Sequence, residues 1–453
     1  MKRPTIKVFI CNMSEDVWPF ISLLEDRKLR TFEINENANM SDWNLFSFAP
    51  NEEGVFITPR GASPEFLSYI SQTTGASNVR VLTPSRHTGQ TSKDALADAR
   101  VFSQLVALGK KATLALTAYS ATPQFYRLAQ ALQKRGARVE FSDAPSAENR
   151  WTIDFFGSKS GIRQLVQTLA HPSVGMAQGF ICSRIAEAAQ IAARLYMKEK
   201  GVVIKTNKGH SGLGTLIFRP GELPSNQQAC EKKLGTLLSR NIYWRKFPLV
   251  VEAYQKENIK IGGGIPSVEF RVEKSGKAQY LYYCGMHISR EGVFRGMEVG
   301  EGVVAQRVLI QIKTIGRLLA TKYASYGYRG FFDVDLLATK NGNVLVTESN
   351  VRRTGGTHVH ALGVRLFGKN FMKKTYVVSS NSHPLPGKRK MTFEKLYKLL
   401  ESILYDKKTK EGLILASEHM MQQHALAYVI FGKTKSRALA VEARMDKLLR
   451  SAP

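Results

Sequence analysis

Between residues 1 and 150, short apolar runs alternate with amphipathic stretches, and this alternation limits the possible folds more than any single motif. Strands are predicted at 7–11, 79–82, 113–117 and 138–141, with helices at 91–108 and 124–135. Ser92 stands where it can cap the first helix and Gly109 follows its end, while Gly136 stops the second. Strands separated by helices run parallel, because each helix carries the chain back across the sheet. The first 150 residues are therefore expected to form one α/β domain with a parallel sheet.

The pattern changes after a break at 142–149, rich in Ser, Ala, Pro and Asp. A helix is predicted at 185–200, stopped by Gly201, and a short apolar strand at 202–204. Further strands are predicted at 248–252, 267–272, 279–284 and 344–348, with a long amphipathic helix at 303–326 before Gly327. Residues 381–390 hold two prolines and a basic cluster and read as a linker. A helix at 393–404, a strand at 425–431 and a helix at 436–449 follow. These breaks imply domains at 1–150, 151–380 (divided near 250) and 381–453, the last a small α+β extension.

The chain has 453 residues, enough for two to four domains at about 150 residues each. Cys11, Cys182, Cys230 and Cys284 show neither a disulfide framework nor a zinc-ribbon spacing, which fits a reducing cytoplasm. No apolar run is long enough for a leader or a membrane span. The net charge of +28 draws anions without naming them. Basic residues are spread along the chain, with local clusters at Lys388-Arg389-Lys390 and Lys407-Lys408, and no aromatic–basic repeat marks a groove for single strands. A solvated basic surface with an anionic small-molecule substrate is expected; a nucleic-acid partner is disfavoured.

Three segments carry chemistry. In VVIKTNKGHSGLGTLIF (202–218) a strand delivers Lys205 into a loop containing Gly209, Ser211, Gly212 and Gly214. Glycines let backbone N–H groups approach phosphate oxygens and the lysine adds a charge, although a plain glycine hairpin has the same pattern. In GYRGFFDVDLLATKNGNVLVTESNVRR (327–353) alternation puts Asp333 and Asp335 on one face, and a turn at Lys340-Asn341-Gly342-Asn343 returns the chain to Glu348 and Asn350. Oxygen-only ligands converging at one hairpin end suit Mg²⁺, and Arg352 continues the same parity. The third segment, 249–254, is an apolar strand running into Glu252 and Tyr254, which fits either a core strand or an adenine-binding hinge. No Gly-x-Ser-x-Gly elbow supports a serine hydrolase. His358 and His360 lack a third nitrogen or sulfur ligand at a zinc spacing, leaving a substrate contact or a structural hydrogen bond.

Taken in order, these segments resemble the ATP-grasp superfamily over residues 151–365. The match consists of Lys205, the 211–214 loop, Glu252, Asp335 and Glu348-Ser349-Asn350-Val351-Arg352, with Lys159 in Gly157-Ser158-Lys159-Ser160 at the place of the family's earlier ATP lysine. Val351 stands where the family usually has proline. The resemblance implies a Rossmann-like pre-ATP-grasp domain, an ATP-grasp domain and a small C-terminal extension. It implies ATP contacts from Lys159, Lys205, Ser211, Gly212, Gly214, Glu252 and Tyr254. One or two Mg²⁺ ions, replaceable by Mn²⁺, would be held by Asp335, Glu348 and Asn350, with Arg352 as the catalytic cation.

The run Asn350-Val351-Arg352-Arg353-Thr354-Gly355-Gly356-Thr357-His358 also resembles peptide ligases of the pheganomycin-synthesis type. That narrower likeness implies carboxylate and amine substrates of amino-acid or peptide character. Arg290, Arg295, Arg353 and His358 are then candidate substrate contacts, and the enzyme is a candidate homo-oligomer. The expected reaction is ATP-dependent amide formation through an acyl-phosphate. Phosphate transfer without an amide, or nucleotide-dependent nucleic-acid binding, remain the alternatives.

Overall fold

The computed structural model describes residues 3–210, 212–289, 293–387 and 391–451. Its strands form three sheets, taken in turn along the chain. The first holds β1 (Thr5–Ile10), β2 (Gly54–Ile57), β3 (Val79–Leu82), β4 (Thr113–Ala118) and β5 (Arg138–Phe141) in the order β3-β2-β1-β4-β5, all parallel. The order reverses between β1 and β4, so the crevice beyond Ile10 and Ala118 is the place where such sheets receive ligands. The alternating pattern of the first 150 residues thus produces the expected parallel domain.

The second sheet is antiparallel and contains β6 (Gly179–Cys182), β7 (Val202–His210), β8 (Leu213–Phe218) and β9 (Leu249–Ala253) in the order β6-β9-β7-β8. It closes its own small core with the helices Ile185–Glu199 and Gln227–Ser239, through Ala188, Ala192, Leu234 and Leu238. The third sheet has eight antiparallel strands: β10 (Pro266–Val272), β11 (Ala278–Ile288), β12 (Phe294–Val299), β13 (Gly330–Ala338), β14 (Val344–Asn350), β15 (Tyr376–Pro384), β16 (Gly412–Leu415) and β17 (Ala425–Gly432). Helix Gln306–Ser325 covers one face through Val308, Ile312, Ile315 and Leu319, in a core continuous with that of the parallel domain.

Some boundaries differ from the sequence reading. The helix expected over 91–108 is two helices, Thr91–Ala97 and Ala99–Lys111. Asp98 breaks it by adopting an extended conformation and accepting the Val101 N–H at 2.9 Å, an N-cap worth about 1 kcal/mol. Ser92 does not cap a helix. Its hydroxyl donates to the buried Glu15 carboxylate at 2.9 Å. The boundary expected at 380 falls inside β15, because the Pro-containing end stays paired with β17 through His383↔Leu426 and Pro384↔Ala425. The 381–453 segment therefore adds two strands to the third sheet. Lys388, Arg389 and Lys390 lie outside the described residues. Among the described residues no helix is long and apolar enough to cross a membrane.

His358 does not face a substrate cleft. Its ring is 2% exposed and stacks on Trp43 with centroids 4.9 Å apart, and neither ring nitrogen has a hydrogen-bond partner among the described residues. Helical spacing places it on the inward face of Thr357–Phe367 beside Val359 and Leu362. Burial lowers its pKa to about 3, against about 6.5 in the unfolded chain. The folded state therefore binds fewer protons, and stability is lost as pH falls below the unfolded value, at up to about 1.4 kcal/mol per pH unit. The melting temperature is expected to fall between about pH 7 and pH 5, and His358→Phe is expected to flatten that fall. Parallel thermal scans of the two proteins check this; identical slopes would count against it.

Candidate nucleotide and metal site

Lys205 projects from β7 toward the third sheet. The chain then turns back into β8, with Lys205 opposite Thr215 and His210 opposite Leu213. The turn needs glycine at Gly212 and Gly214, whose φ values are +79° and +81°. Thr206 ties its base, with its hydroxyl 3.0 Å from the Lys208 carbonyl and 3.2 Å from that of Gly214. At the other end, His210 Nε2 lies 3.2 Å from Glu33 Oε2 on the N-terminal domain. Ser211 lies outside the described residues.

Glu252, near the end of β9, is buried between two cations. Its Oε2 lies 2.7 Å from Lys205 Nζ, and its Oε1 accepts Arg163 Nη2 at 2.5 Å. Burial raises its pKa, but Lys205 and then Arg163 outweigh that, so the group stays below its ordinary value and charged. Its carboxylate thus anchors Lys205 at the cavity wall. Beyond it, the Tyr254 N–H donates to the Gly201 carbonyl at 3.1 Å and the ring packs over Gly201.

The acidic hairpin follows the alternation read from sequence. Asp333 lies opposite Asn350 and Asp335 opposite Glu348, with a bulge after Asp335. Asn350 Nδ2 donates to Asp335 Oδ2 at 3.1 Å, and the Asn350 N–H donates to Asp333 Oδ1 at 3.2 Å. Lys159, from the first turn of helix Lys159–Leu169, forms an ion pair with Glu348. Burial raises the Asp335 pKa and the neighbouring Glu348 charge raises it further. At Glu348 burial also raises the pKa, but Lys159 more than reverses this and the group is lowered. Asp335 Oδ1 is buried with no hydrogen-bond partner among the described residues. An orphaned carboxylate oxygen within an oxygen-only donor set is what a hard divalent cation would satisfy, so Asp335, Glu348 and Asn350 fit Mg²⁺.

Arg352 reaches across to the N-terminal domain. Its Nε donates to Asp16 Oδ2 at 2.8 Å, and Ser120 Oγ donates to Asp16 Oδ1 at 2.9 Å. Asp16 and Ser120 lie just beyond β1 and β4, at the crevice where the strand order reverses.

One cavity of about 560 Å³ is lined by Lys159, Lys205, Gly212, Glu252, Tyr254, Asp335, Glu348, Asn350 and Arg352. Ile259, Ile265, Met286, Leu337 and Leu345 give it an apolar wall able to receive a flat base. Gly214 shapes the adjoining turn without lining the cavity. Arg295 lies outside it, on β12 in a separate cavity with His287 and Ser380. Arg353 turns away, donating to Asp143 Oδ2 at 2.8 Å with its guanidinium 4.0 Å from the Phe331 ring centre; it joins the domains and is not placed to touch a substrate. Arg290 lies outside the described residues. The sequence reading missed Arg163 and Asp16, whose partners are 89 and 336 positions away. For Asp16 the strand-end rule was the available signal; Arg163 had none.

Comparison with known proteins agrees with this architecture. Residues 45–134 match the family model described as Pre ATP-grasp domain. No curated protein matches the chain in sequence. Among solved structures, N5-carboxyaminoimidazole ribonucleotide synthetase in its ADP complex superposes with a TM-score of 0.57 at 12% identity, over 98% of this chain and 97% of that one. The Aspergillus clavatus N5-carboxyaminoimidazole synthase with ADP and 5-aminoimidazole ribonucleotide gives 0.56 at 11% identity, over all of both chains. Biotin carboxylase from Campylobacter jejuni, in a β,γ-ATP complex, gives 0.55 at 12% identity, over 96% of this chain and 89% of that one. Residues 45–134 are thus similar to a pre-ATP-grasp domain, and the whole chain shares the overall fold of these synthetase and carboxylase structures.

The turn between β7 and β8 is expected to order over bound phosphates. With a non-hydrolysable ATP analogue and Mg²⁺, amide exchange around Gly212 and Leu213 should slow, as phosphate contacts offset the lost backbone entropy. Exchange that does not change at saturating analogue would argue against a closing lid.

Proposed function

We propose that this protein is an ATP- and Mg²⁺-dependent ligase that joins a carboxylate to an amine, releasing ADP and phosphate. The observation that carries the reading is the single cavity where Lys159, Lys205, Glu252, Asp335, Glu348, Asn350 and Arg352 meet, drawn from two sheets, one helix and the bend after β14. Lys159 and Lys205 neutralise phosphate oxygens, and the glycine turn covers them. Asp335, Glu348 and Asn350 hold the metal, which when bound offsets charge on the transferring phosphoryl group. Arg352, fixed by Asp16, aims its planar guanidinium at the attacking carboxylate or the phosphoryl oxygens.

In this reading the substrate carboxylate attacks the γ-phosphorus, ADP leaves, and the amine then displaces phosphate from the acyl-phosphate. No protein nucleophile is needed, so catalysis rests on orientation, charge stabilisation and exclusion of water by the lid. The amine or the carboxylate is proposed to be an amino acid or peptide, supported by the likeness of residues 350–358 to peptide ligases and by the basic surface. A screen of ADP release over amino acids and short peptides, with mass spectrometry of the products, tests this. An amide product establishes ligation. ADP release that yields a phosphorylated acceptor and no amide refutes it in favour of phosphotransfer, and stimulation by RNA or DNA alone refutes it in favour of a nucleic-acid role.

A further inference from the structure

We propose that Arg163 is a positioning residue for the nucleotide: it fixes the Glu252 carboxylate so that the opposite oxygen holds the Lys205 ammonium at the cavity wall. Arg163 lies four residues after Lys159, on the same face of helix Lys159–Leu169. Ile162, Leu165 and Val166 seat that helix in the core shared with the third sheet, whereas Glu252 and Lys205 belong to the second sheet. Arg163 is therefore an arm from a helix of the main core that sets a lysine of the second sheet.

The fit is close. Arg163 is 3% exposed, and its Nη2 donates both to Glu252 Oε1 at 2.5 Å and to the Ala177 carbonyl at 3.1 Å. Gly179 pairs with Glu252 across β6 and β9, and a Cβ at Gly179 would lie 2.6 Å from the Val251 carbonyl oxygen and 3.0 Å from Arg163 Cζ. A side chain there would meet the β9 backbone first and crowd the guanidinium as well, so the glycine lets strand and arm approach together. The charged groups acting on Glu252 are Lys205, from β7, and Arg163, from the helix. A buried carboxylate between two cations stays ionised; with one cation removed, its proton affinity rises. Arg163 thus acts at a distance, by keeping Glu252 charged and turned toward Lys205.

The inference rests on the cavity being a nucleotide site. Calorimetric titration with a non-hydrolysable ATP analogue tests both, from about pH 5.5 to 8, on wild type and variants. No binding by wild type overturns both readings. With wild-type binding present, Arg163→Met is expected to weaken it about 10-fold or more near pH 7, and to make it fall more steeply with acid than in wild type. Arg163→Lys should recover much of the loss. Glu252→Gln should remove the added pH dependence, and Arg163→Met should then cost little more in that background. A merely structural arginine would lower the melting temperature without this pH signature. Wild-type affinity in Arg163→Met at every pH, or fully additive losses with Glu252→Gln, overturns the inference. Should Arg163→Met fail to fold, Arg163→Gln, which keeps an amide donor and removes the charge, is expected to weaken binding in the same direction, and unchanged affinity there overturns it equally.

Discussion

Replacing Glu348 with Gln is expected to lower turnover by at least about 100-fold, the scale of losing one electrostatic stabiliser. The substitution keeps the shape of the side chain and removes its charge. Glu348 lies directly opposite Asp335 in the hairpin and pairs with Lys159, so in the proposed reaction one carboxylate would serve both the metal and a phosphate-binding lysine. Without it, a cation held by Asp335 and Asn350 has one carboxylate left, and Lys159 loses its anchor. Steady-state ADP release measured against Mg²⁺ concentration should show a collapsed maximal rate together with a raised Mg²⁺ requirement. A correctly folded variant with near-normal turnover would remove Glu348 from the metal site.

The second large effect is expected at Arg352. Arg352→Lys keeps the charge but loses the planar fork, and turnover should drop on the order of 10²-fold while nucleotide affinity changes little. The side chain is held by Asp16 of the N-terminal domain at 2.8 Å, so its direction depends on contact between two domains. Asp16→Asn, which leaves the guanidinium without its charged partner, should move turnover the same way by a smaller factor. Separate measurement of analogue binding and of maximal ADP release distinguishes positioning from binding. If Arg352→Lys turns over within a few-fold of wild type, the arginine has no part in the chemistry.

The sequence revealed those parts of the site that depend on local periodicity. Asp335, Glu348 and Asn350 share a face because strands alternate with period two, and the hairpin turn sets their register. Lys205 and its glycines are legible for the same reason. What escaped depends on contacts between distant elements. Nothing in the neighbourhood of Arg163 announces a partner on β9, and nothing around Glu252 announces the two cations that its carboxylate meets. Arg353 and His358 follow the metal motif closely enough to suggest substrate contacts, yet the bend after Asn350 sends one to Asp143 and helical spacing turns the other onto Trp43. In the fold, the missed strand β2 has four consecutive buried residues, so it gives no alternation to read. The helix at 91–108 breaks because an aspartate prefers to cap.

The small core of the second sheet has an evolutionary consequence. Because Ala188, Ala192, Leu234, Leu238 and their neighbours pack on one another, substitutions among them can drift without disturbing the main core. The segment from β6 to β9 is thus a natural unit of recombination, exchangeable between relatives with crossover points near its two ends. A transplant of this kind would have to bring along the residues matched to the rest of the chain: Gly179, Lys205 and Glu252 around Arg163, Asn207 for Ser160, Lys208 for Asp154, His210 for Glu33, and Tyr243 for Phe20 at a ring separation of 5.0 Å. Lineages sharing this architecture could diverge quickly inside this segment while retaining those partners.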